Sequence, residues 1–243
     1  MTAYTTPVKL TRDALLTGHA FRSLPCHADH LPHWSDAELQ ASLDATLAQA
    51  HDPSADIWLF GYGSLIWNPA FRHAETRVAR IQGWHRRFCL WTNATRGSPD
   101  CPGLVLALDA GGSCKGLAFR IPAAEAAAEL SIVWRREMYN GAYIPRWVDA
   151  HCPGQGQVRA ITFSTNRRHP HYAGRLSDDC VARALATASG HFGPCAEYFF
   201  STLHALTELG IEDAQLKSLR DRVLVIKHAD ARRPKLAADS SAI

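Results

Sequence analysis

The chain has 243 residues, of which 47% are hydrophobic and 20% are charged, and its formal net charge is only +3. This length and apolar content are enough for one sizeable hydrophobic core, so we expect one domain with appendages. The charges are scattered without a long run of one sign, which argues against nucleic acid or an anionic membrane surface as a partner. A small molecule is the expected ligand.

Cysteine usage and the amino terminus bear on the compartment. The chain has seven cysteines, an odd number without regular spacing, which favours reduced thiols over a disulfide framework. The first residues, MTAYTTPVKLTRDALLTGHAF, lack the basic and apolar regions of a secretory signal. No apolar run has the length that a membrane-spanning helix needs. These features predict a soluble, cytoplasmic protein.

Residues 1–56 are predicted to form an amino-terminal extension with one helix. Periodicity is weak up to about residue 34, after which Ser35 and Glu38 have the spacing of a capping box. Apolar residues then recur on one helical face, at Leu39, Leu43 and Leu47. We expect this helix to lie outside the main core, followed by the turn-forming letters HDPSAD and a core that begins at Ile57.

The next part of the chain is predicted to form a largely antiparallel sheet. After the strand at Ile57, segments rich in branched and aromatic residues occupy 76–92, 103–121 and 157–165. Within the second of these segments, the letters DAGG predict a hairpin turn. The sheet is expected to be curved or barrel-like.

Helices are predicted between the strands and after them. Pro122 suits the first position of a helix that runs through 137, because its missing N–H would have no partner there. Ser177 and Gly190 bound the next helix, and two more helices are expected at 196–209 and 213–226. The pattern predicts an α+β fold with a helical carboxyl-terminal third. The catalytic or binding domain would span 57–226, with a frayed tail at 227–243.

The turn GYGSL interrupts the first strand. Gly61 and Gly63 allow positive φ and close approach of a ligand, and successive N–H groups in such a turn can converge on an anion. For two nearby glycines alone, a β-bulge or hairpin corner is the preferred interpretation. The turn lacks the lysine of a phosphate loop and the third glycine of a dinucleotide fingerprint, and Leu65 replaces the closing glycine of a nucleophile elbow. Nucleotide binding and serine hydrolysis are therefore disfavoured.

The helix after Pro122 carries one carboxylate on its apolar face. That face contains Ala126, Leu130, Val133 and Trp134, and Glu137 extends it. Burial would raise the pKa of Glu137 into a range useful for proton exchange, whereas a salt bridge to Arg86 or Arg87 is the structural alternative. Glu125, Glu129 and Arg136 fall on a different face and are expected to be solvated.

Histidine and cysteine give no convincing metal site. Zinc-like spacing occurs in CHADHLPH, at Cys26, His27, His30 and His33. The segment has no second ligand pair at a matching distance, so a polar loop is the preferred interpretation. His169 and His171 are likewise expected in a loop. A nucleophilic cysteine and histidine pair remains an open alternative.

A set of motifs in one order identifies a resemblance to a known family. These motifs are LTRDALL, FGYGSLIWNPAF, GWHRRFCL, RGSPDCPGLVLAL, GLAFRIP, WRREMYNGAY, HPHYAG and AEYFF. Together they closely resemble the ChaC family of γ-glutamylcyclotransferases from about Ile57 to Leu209. The combination of the Y-G-S-L turn with the downstream R-E-M is specific to this family, although each motif alone would be weak evidence.

The resemblance implies a small mixed β-barrel with flanking helices that acts on glutathione, releasing 5-oxoproline and cysteinylglycine without a metal or cofactor. It makes Glu137 the catalytic carboxylate and places Tyr143 near the site. It assigns γ-glutamyl binding to the turn residues Gly61, Tyr62, Gly63, Ser64, Leu65 and Ile66. Leu104 and Cys195 depart from the family pattern, in which arginine and asparagine are common, and this bears on substrate details.

Two rival functions remain open from the sequence. A cyclotransferase for other γ-glutamyl amines or peptides would use the same fold. A noncatalytic binding or regulatory protein could use the same cleft, although such a protein would have no use for a buried proton-exchanging carboxylate.

Overall fold

The computed structural model describes residues 9–22, residue 24 and residues 33–232. Its helices are α1 (Arg12–Leu16), α2 (His19–Arg22), α3 (Asp36–Leu47), α4 (Ser64–Trp67), α5 (Ala123–Glu137), α6 (Asp178–Thr187), α7 (Cys195–Glu208) and α8 (Ala214–Arg232). Its strands are β1 (Ile57–Gly61), β2 (Glu75–Thr92), β3 (Gly103–Ile121), β4 (Tyr143–Cys152), β5 (Gly156–Thr165), β6 (Ser189–Gly190) and β7 (Gly193–Pro194).

Five strands close into a barrel in the order β1, β3, β2, β4, β5. All neighbours in this order pair antiparallel, and β5 closes the barrel by parallel pairing with β1 and β3. The long ladder between β2 and β3 runs from Glu75 opposite Arg120 to Thr92 opposite Gly103. The predicted α+β class and the largely antiparallel, barrel-like sheet are therefore confirmed.

The predicted hairpin turn at DAGG is wrong. Gly111 and Gly112 lie within β3 and have φ values of 102° and 70°. The ladder shifts its register there, passing from Gln82 opposite Ser113 to Trp84 opposite Ala110. Glycines in the left-handed region accommodate this bulge, so the strand bends and continues instead of reversing.

Strand β4 was missed by the sequence analysis. Its sequence, YIPRWVDAHC, contains a proline and charged residues, and most of its residues are only half-buried or exposed. Pro145 lies opposite Phe163 of β5. A strand of this composition gives no clear apolar alternation, because its stability comes from pairing with β5 and from packing by neighbouring helices.

The helix at Asp36–Leu47 does not lie outside the core, contrary to expectation. Its capping box is present, but Leu39 and Leu43 are 8% and 1% exposed and belong to the same apolar cluster as the barrel residue Phe163. Trp134 of α5 belongs to that cluster and donates its indole N–H to Ser42 at 3.2 Å. The helix covers one end of the barrel core.

Two short helices, α1 and α2, also belong to the extension, which was predicted to have only one helix. Leu15 of α1 is fully buried in a cluster with Ile132 of α5. Arg12 donates two hydrogen bonds to the carboxylate of Glu129, at 2.5 and 2.6 Å. Glu129 is only 3% exposed, so the expectation that it is solvated is wrong. A five-residue helix has little intrinsic stability, and this long-range pairing explains why the sequence pattern did not reveal it.

The carboxyl-terminal helices follow the prediction with shifted ends. Ser177 caps α6 through the N–H of Cys180, but α6 ends at Thr187, and Gly190 lies in the two-residue strand β6. The last helix extends beyond the predicted end at 226, so residues 227–232 are helical and not frayed. The rest of the tail lies outside the described residues. Across the described ranges, none of the helices is long and apolar enough to cross a bilayer.

Candidate active site

The glycine-containing turn connects β1 with α4. Gly63 has φ −140° and ψ −126°, and neither it nor Gly61 has positive φ, so that part of the expectation is wrong. A Cβ atom at Gly61 would approach the ring of Phe119 to 3.0 Å, so this glycine allows close packing. A Cβ atom at Gly63 would lie 3.5 Å from the hydroxyl of Tyr198. Between the turn and Tyr198 there is therefore room for a methyl group at contact distance, but not for a larger side chain.

Two cavities that share lining residues lie beside this turn. The inner cavity has a volume of about 20 Å³, and its walls include Tyr62, Gly63, Ser64, Leu65, Glu137 and Tyr143. The outer cavity has a volume of about 640 Å³ and shares Ser64, Glu137 and Tyr143 with it. The structure thus brings together the proposed carboxylate, the middle of the turn and the proposed tyrosine. Gly61 and Ile66 do not line either cavity.

Glu137 is the last residue of α5, and its carboxylate is largely enclosed. Its side chain is 12% exposed, and its Oε1 atom lies 3.0 Å from Nε of Arg136. Burial raises the pKa of Glu137, and the positive charge and hydrogen bond of Arg136 oppose that rise. The predicted apolar face is confirmed, since Ala126, Leu130, Val133 and Trp134 are all buried. Glu137 is a carboxylate suited to exchange a proton.

Arg136 connects this carboxylate with the turn. Its Nη2 atom donates to Oγ of Ser64 at 2.7 Å, and its Nη1 atom donates to the carbonyl of Asn68 just beyond α4. Arg136 is only 6% exposed, so the expectation that it is solvated is wrong. Helical periodicity assigned Arg136 to an outer face, but α4 covers that face at the last turn of α5.

The predicted alternative partners of Glu137 are elsewhere. Arg86 lies 3.6 Å from the carboxylate of Asp213, and Arg87 forms an ion pair with Asp109. A salt bridge from Glu137 to either arginine is therefore wrong. The partner is the adjacent residue in the sequence.

Tyrosine hydroxyls hold the walls of the cavity in place. Tyr62 donates to the carbonyl of Phe163 at 2.8 Å, and Tyr143 donates to the carbonyl of Leu106 at 2.8 Å. Tyr198 accepts a hydrogen bond from the N–H of Leu106 at 3.3 Å. The backbone N–H and carbonyl of Leu106 in β3 thus fix the hydroxyls of Tyr198 and Tyr143, respectively.

These three tyrosines are neutral at physiological pH. Burial is the largest cause that raises each pKa, and the negative charge of Glu137 raises each of them further. Tyr198 was not among the predicted site residues. Its position in the AEYFF motif was the available signal, but only the fold shows that α7 delivers it to the same cavity as the turn.

The two departures from the family pattern touch each other away from the cavities. Leu104 and Cys195 are both fully buried, and the thiol of Cys195 donates to the carbonyl of Leu104 at 3.1 Å. Burial raises the pKa of Cys195 to about 11, so the thiol stays protonated. Neither residue lines the inner or the outer cavity. They form one buried contact of the core.

The cysteine and histidine alternatives have little structural support. Burial raises the pKa of Cys89 to about 11 and also raises that of Cys114, the opposite of thiol activation. No described cysteine lines either cavity. Cys26, His27 and His30 lie outside the described residues, and the part of the chain that the structure describes contains no cluster of three or more His, Cys, Asp or Glu placed to hold a metal. That the activity needs no metal stays a prediction.

Comparison with known proteins identifies relatives of this chain. A family model described as ChaC-like protein matches residues 57–226. A glutathione-specific γ-glutamylcyclotransferase of Escherichia coli K12 is 39% identical over 210 residues, covering 86% of this chain and 90% of that protein. The glutathione-specific γ-glutamylcyclotransferase 1 of Danio rerio is 33% identical over 148 residues, covering 59% of this chain and 76% of that protein.

A crystal structure of a yeast γ-glutamylcyclotransferase specific to glutathione has the same fold. Its TM-score is 0.67 at 21% identity, and the match covers 72% of this chain and 98% of the yeast chain. At this identity the structural match establishes the fold alone. With the family match over 57–226 and the bacterial relative at 39% identity, the conclusion is that this chain belongs to the ChaC-like family.

Proposed function

We propose that this protein is a glutathione-specific γ-glutamylcyclotransferase, which converts glutathione into 5-oxoproline and L-cysteinylglycine. The observation that carries the proposal is the enclosed carboxylate of Glu137, which shares the cavities with the turn at residues 62–65. The bacterial relative of that name, 39% identical over 86% of this chain, supports the choice of substrate. The match of the family model to 57–226 supports assigning the activity to that domain.

The reaction is an intramolecular acyl transfer that needs no protein nucleophile. The α-amine of the γ-glutamyl unit attacks its own γ-carbonyl, a C–N bond forms within a five-membered ring, and the amide bond to cysteine breaks. Holding the γ-glutamyl chain folded supplies the rate advantage of an intramolecular reaction. One proton must leave the attacking amine, and one must reach the departing amine of cysteinylglycine.

Glu137 is the group that moves this proton. An α-amine has a pKa near ~8, so a neutral fraction that can attack is present near neutral pH, and the attacking nitrogen loses one proton as the ring closes. The carboxylate of Glu137 accepts that proton, and burial raises its pKa, which makes the protonated form a usable acid for the leaving amine. Arg136 holds the carboxylate toward the turn through its hydrogen bonds.

The turn binds the γ-glutamyl group. The N–H groups of Ser64 and Leu65 begin α4, where a helix offers them no internal partner, and Gly63 precedes them without a side chain. The N–H of Ile66 donates to the carbonyl of Gly63 at 2.9 Å, so it shapes the turn. We assign the preceding N–H groups to the substrate carboxylate or to the oxyanion that develops on the γ-carbonyl. Gly61 supports the turn through packing.

The remaining expectations concern location and partners. We place the protein in the cytoplasm, where thiols stay reduced, because the six described cysteines are all free. Neither a nucleic acid nor a membrane is proposed as a partner, since the net charge is only +3 and the charges are dispersed. The proposed reaction uses a carboxylate and hydrogen-bond donors, without a metal or an organic cofactor.

The function is tested by incubating the purified protein with glutathione and measuring 5-oxoproline and cysteinylglycine. We expect equal amounts of the two products, an unchanged rate after exhaustive metal chelation, and little product from a γ-glutamyl amine such as γ-glutamyl-ε-lysine. Preferential turnover of the γ-glutamyl amine would assign the protein to the other cyclotransferase activity. Tight binding of glutathione without product would make it a binding protein.

A further inference from the structure

Arg96 is a buried cation whose hydrogen-bonding capacity is mostly unused. It follows β2, is 8% exposed and lines the outer cavity. Its Nη1 atom donates to the carbonyl of Pro194 at 3.3 Å, while Nε and Nη2 have no protein acceptor among the described residues. A guanidinium has five N–H donors, and a buried charge is costly unless it is paired. Among the residues that the structure describes, Arg96 therefore lacks a strong anionic partner.

The nearest carboxylate is a weak partner for this guanidinium. Glu197 lies 3.8 Å from Nη1, beyond hydrogen-bond distance, and its side chain is 60% exposed. Burial lowers the pKa of Arg96, and the charge of Glu197 only partly opposes this effect. An incoming carboxylate could form the charge-assisted, bidentate contact that Glu197 does not make.

Arg96 lines the outer cavity but not the inner cavity, which Glu137 and the turn line. Its guanidinium carbon is 5.8 Å from the ring centre of Tyr198, and the charge of Glu137 contributes to the raised pKa of that same tyrosine. Tyr198 lines both cavities, so Arg96 lies on the outer-cavity side of the site.

Glutathione has two carboxylates at very different distances from the reacting amine. The α-carboxylate is on the same carbon as that amine, so it must lie close to Glu137 and the turn. The glycine carboxylate is two residues farther along the molecule, which is about 7 Å from the γ-carbonyl in an extended chain. Of the two, the glycine carboxylate is the one that would extend from the turn into the outer cavity, which Arg96 lines.

We propose that Arg96 binds the glycine carboxylate of glutathione and so selects substrates whose leaving group ends in a carboxylate. This inference rests on the proposed function and adds a specificity-determining residue to it. The contact lies far from the bonds that change, so it contributes to binding in the ground state and the transition state alike. Its loss is expected to raise KM more than it lowers kcat.

The test compares glutathione with glutathione amidated at its glycine carboxylate, using the parent protein, Arg96→Gln and Arg96→Lys. The parent should cyclise the amide about 10-fold to 100-fold less efficiently in kcat/KM, the usual range for a lost charge-assisted hydrogen bond. Arg96→Gln should lose a similar factor on glutathione, mainly through KM, and almost nothing further on the amide. Arg96→Lys should recover part of the loss on glutathione. Arg168→Gln removes an exposed arginine outside both cavities and should match the parent on both substrates.

The outcomes separate this inference from the proposed function. A parent protein that uses glutathione and its amide equally well would overturn the inference. This comparison uses the parent protein alone, so it does not depend on whether a variant folds. Equal losses of Arg96→Gln on both substrates would also overturn it, because Arg96 would then act on something other than the glycine carboxylate. A parent protein that forms no 5-oxoproline from glutathione would overturn the proposed function, and the inference with it.

Discussion

Gly63 belongs to the turn and lines the inner cavity. A Cβ atom there would lie 3.5 Å from the hydroxyl of Tyr198 and 3.6 Å from Cδ1 of Leu106, which is ordinary contact. Since the φ of Gly63 is −140°, the reason for glycine here is the space in front of it and not a left-handed backbone. Larger side chains would enter the space that the substrate needs.

We expect Gly63→Val to reduce kcat/KM for glutathione by at least about 100-fold, because its two methyl groups would displace the γ-glutamyl unit from Glu137. Gly63→Ala should fold normally and lose much less activity, since its Cβ fits at contact distance. Circular dichroism would check the fold, and 5-oxoproline release would give the rate. A valine variant with nearly parental kcat/KM would mean that the turn has only a structural role.

Glu137 should make the stability of the protein depend on pH. Its pKa is raised in the folded state by burial, so ionisation costs folding free energy as pH rises through that value. Glu137→Gln removes this cost but keeps the shape of the side chain. We therefore expect the variant to have a higher Tm than the parent at pH 8 and an equal Tm near pH 4, measured by thermal denaturation. A parent protein that is the more stable one at pH 8 would contradict the cause assigned to the shift.

At the scale of elements, α1 is attached to the domain by a partly buried ion pair and by the buried side chain of Leu15. Arg12 of α1 contacts Glu129 of α5, and the same carboxylate accepts the N–H of Arg72 at 2.8 Å. The residues before α1, Lys9 and Leu10, line the outer cavity. The ion pair thus positions part of the cavity wall.

We expect Glu129→Gln to lower the free energy of unfolding by about 1–3 kcal/mol, because the guanidinium of Arg12 and the backbone N–H of Arg72 lose their charged, buried acceptor. Glu125→Gln, an exposed change on the same helix, is the matched control and should have little effect. Chemical denaturation gives the stability, and hydrogen exchange of the amides in α1 gives the local opening. Equal stabilities of the two variants would show that the pair does not hold α1.

Most strands and the long helices could be predicted because their own residues show the apolar periodicity, branched residues and caps that are typical of these elements. The face of α5 predicted Glu137 as an enclosed carboxylate, and the caps predicted the starts of α3 and α6. The short helix α1 and the strand β4 could not be predicted, because distant contacts stabilise them. The bulge at Gly111 was mistaken for a hairpin, since glycine pairs suit both and only the register of two strands distinguishes them.

At the scale of the whole molecule, the outer cavity is a meeting point of distant segments. Its walls come from residues as far apart as Lys9 and Tyr198, and they include the end of α5 and the loop after β2. The motifs predicted the turn and the carboxylate, which lie in two short stretches. Arg96 and Tyr198 were missed as site residues because their roles depend on how the barrel places the loop after β2 against α7.

The most direct test of the account is the turnover of glutathione by Glu137→Gln, measured as 5-oxoproline release, with calorimetric binding of glutathione as the control for an intact site. The amide keeps the shape of the side chain but cannot accept the proton of the attacking amine. We expect turnover to fall by about 10²-fold to 10⁴-fold while glutathione still binds, the range for losing a general acid–base group. Turnover close to the parental rate would mean that another group moves the proton, and it would contradict the proposed mechanism.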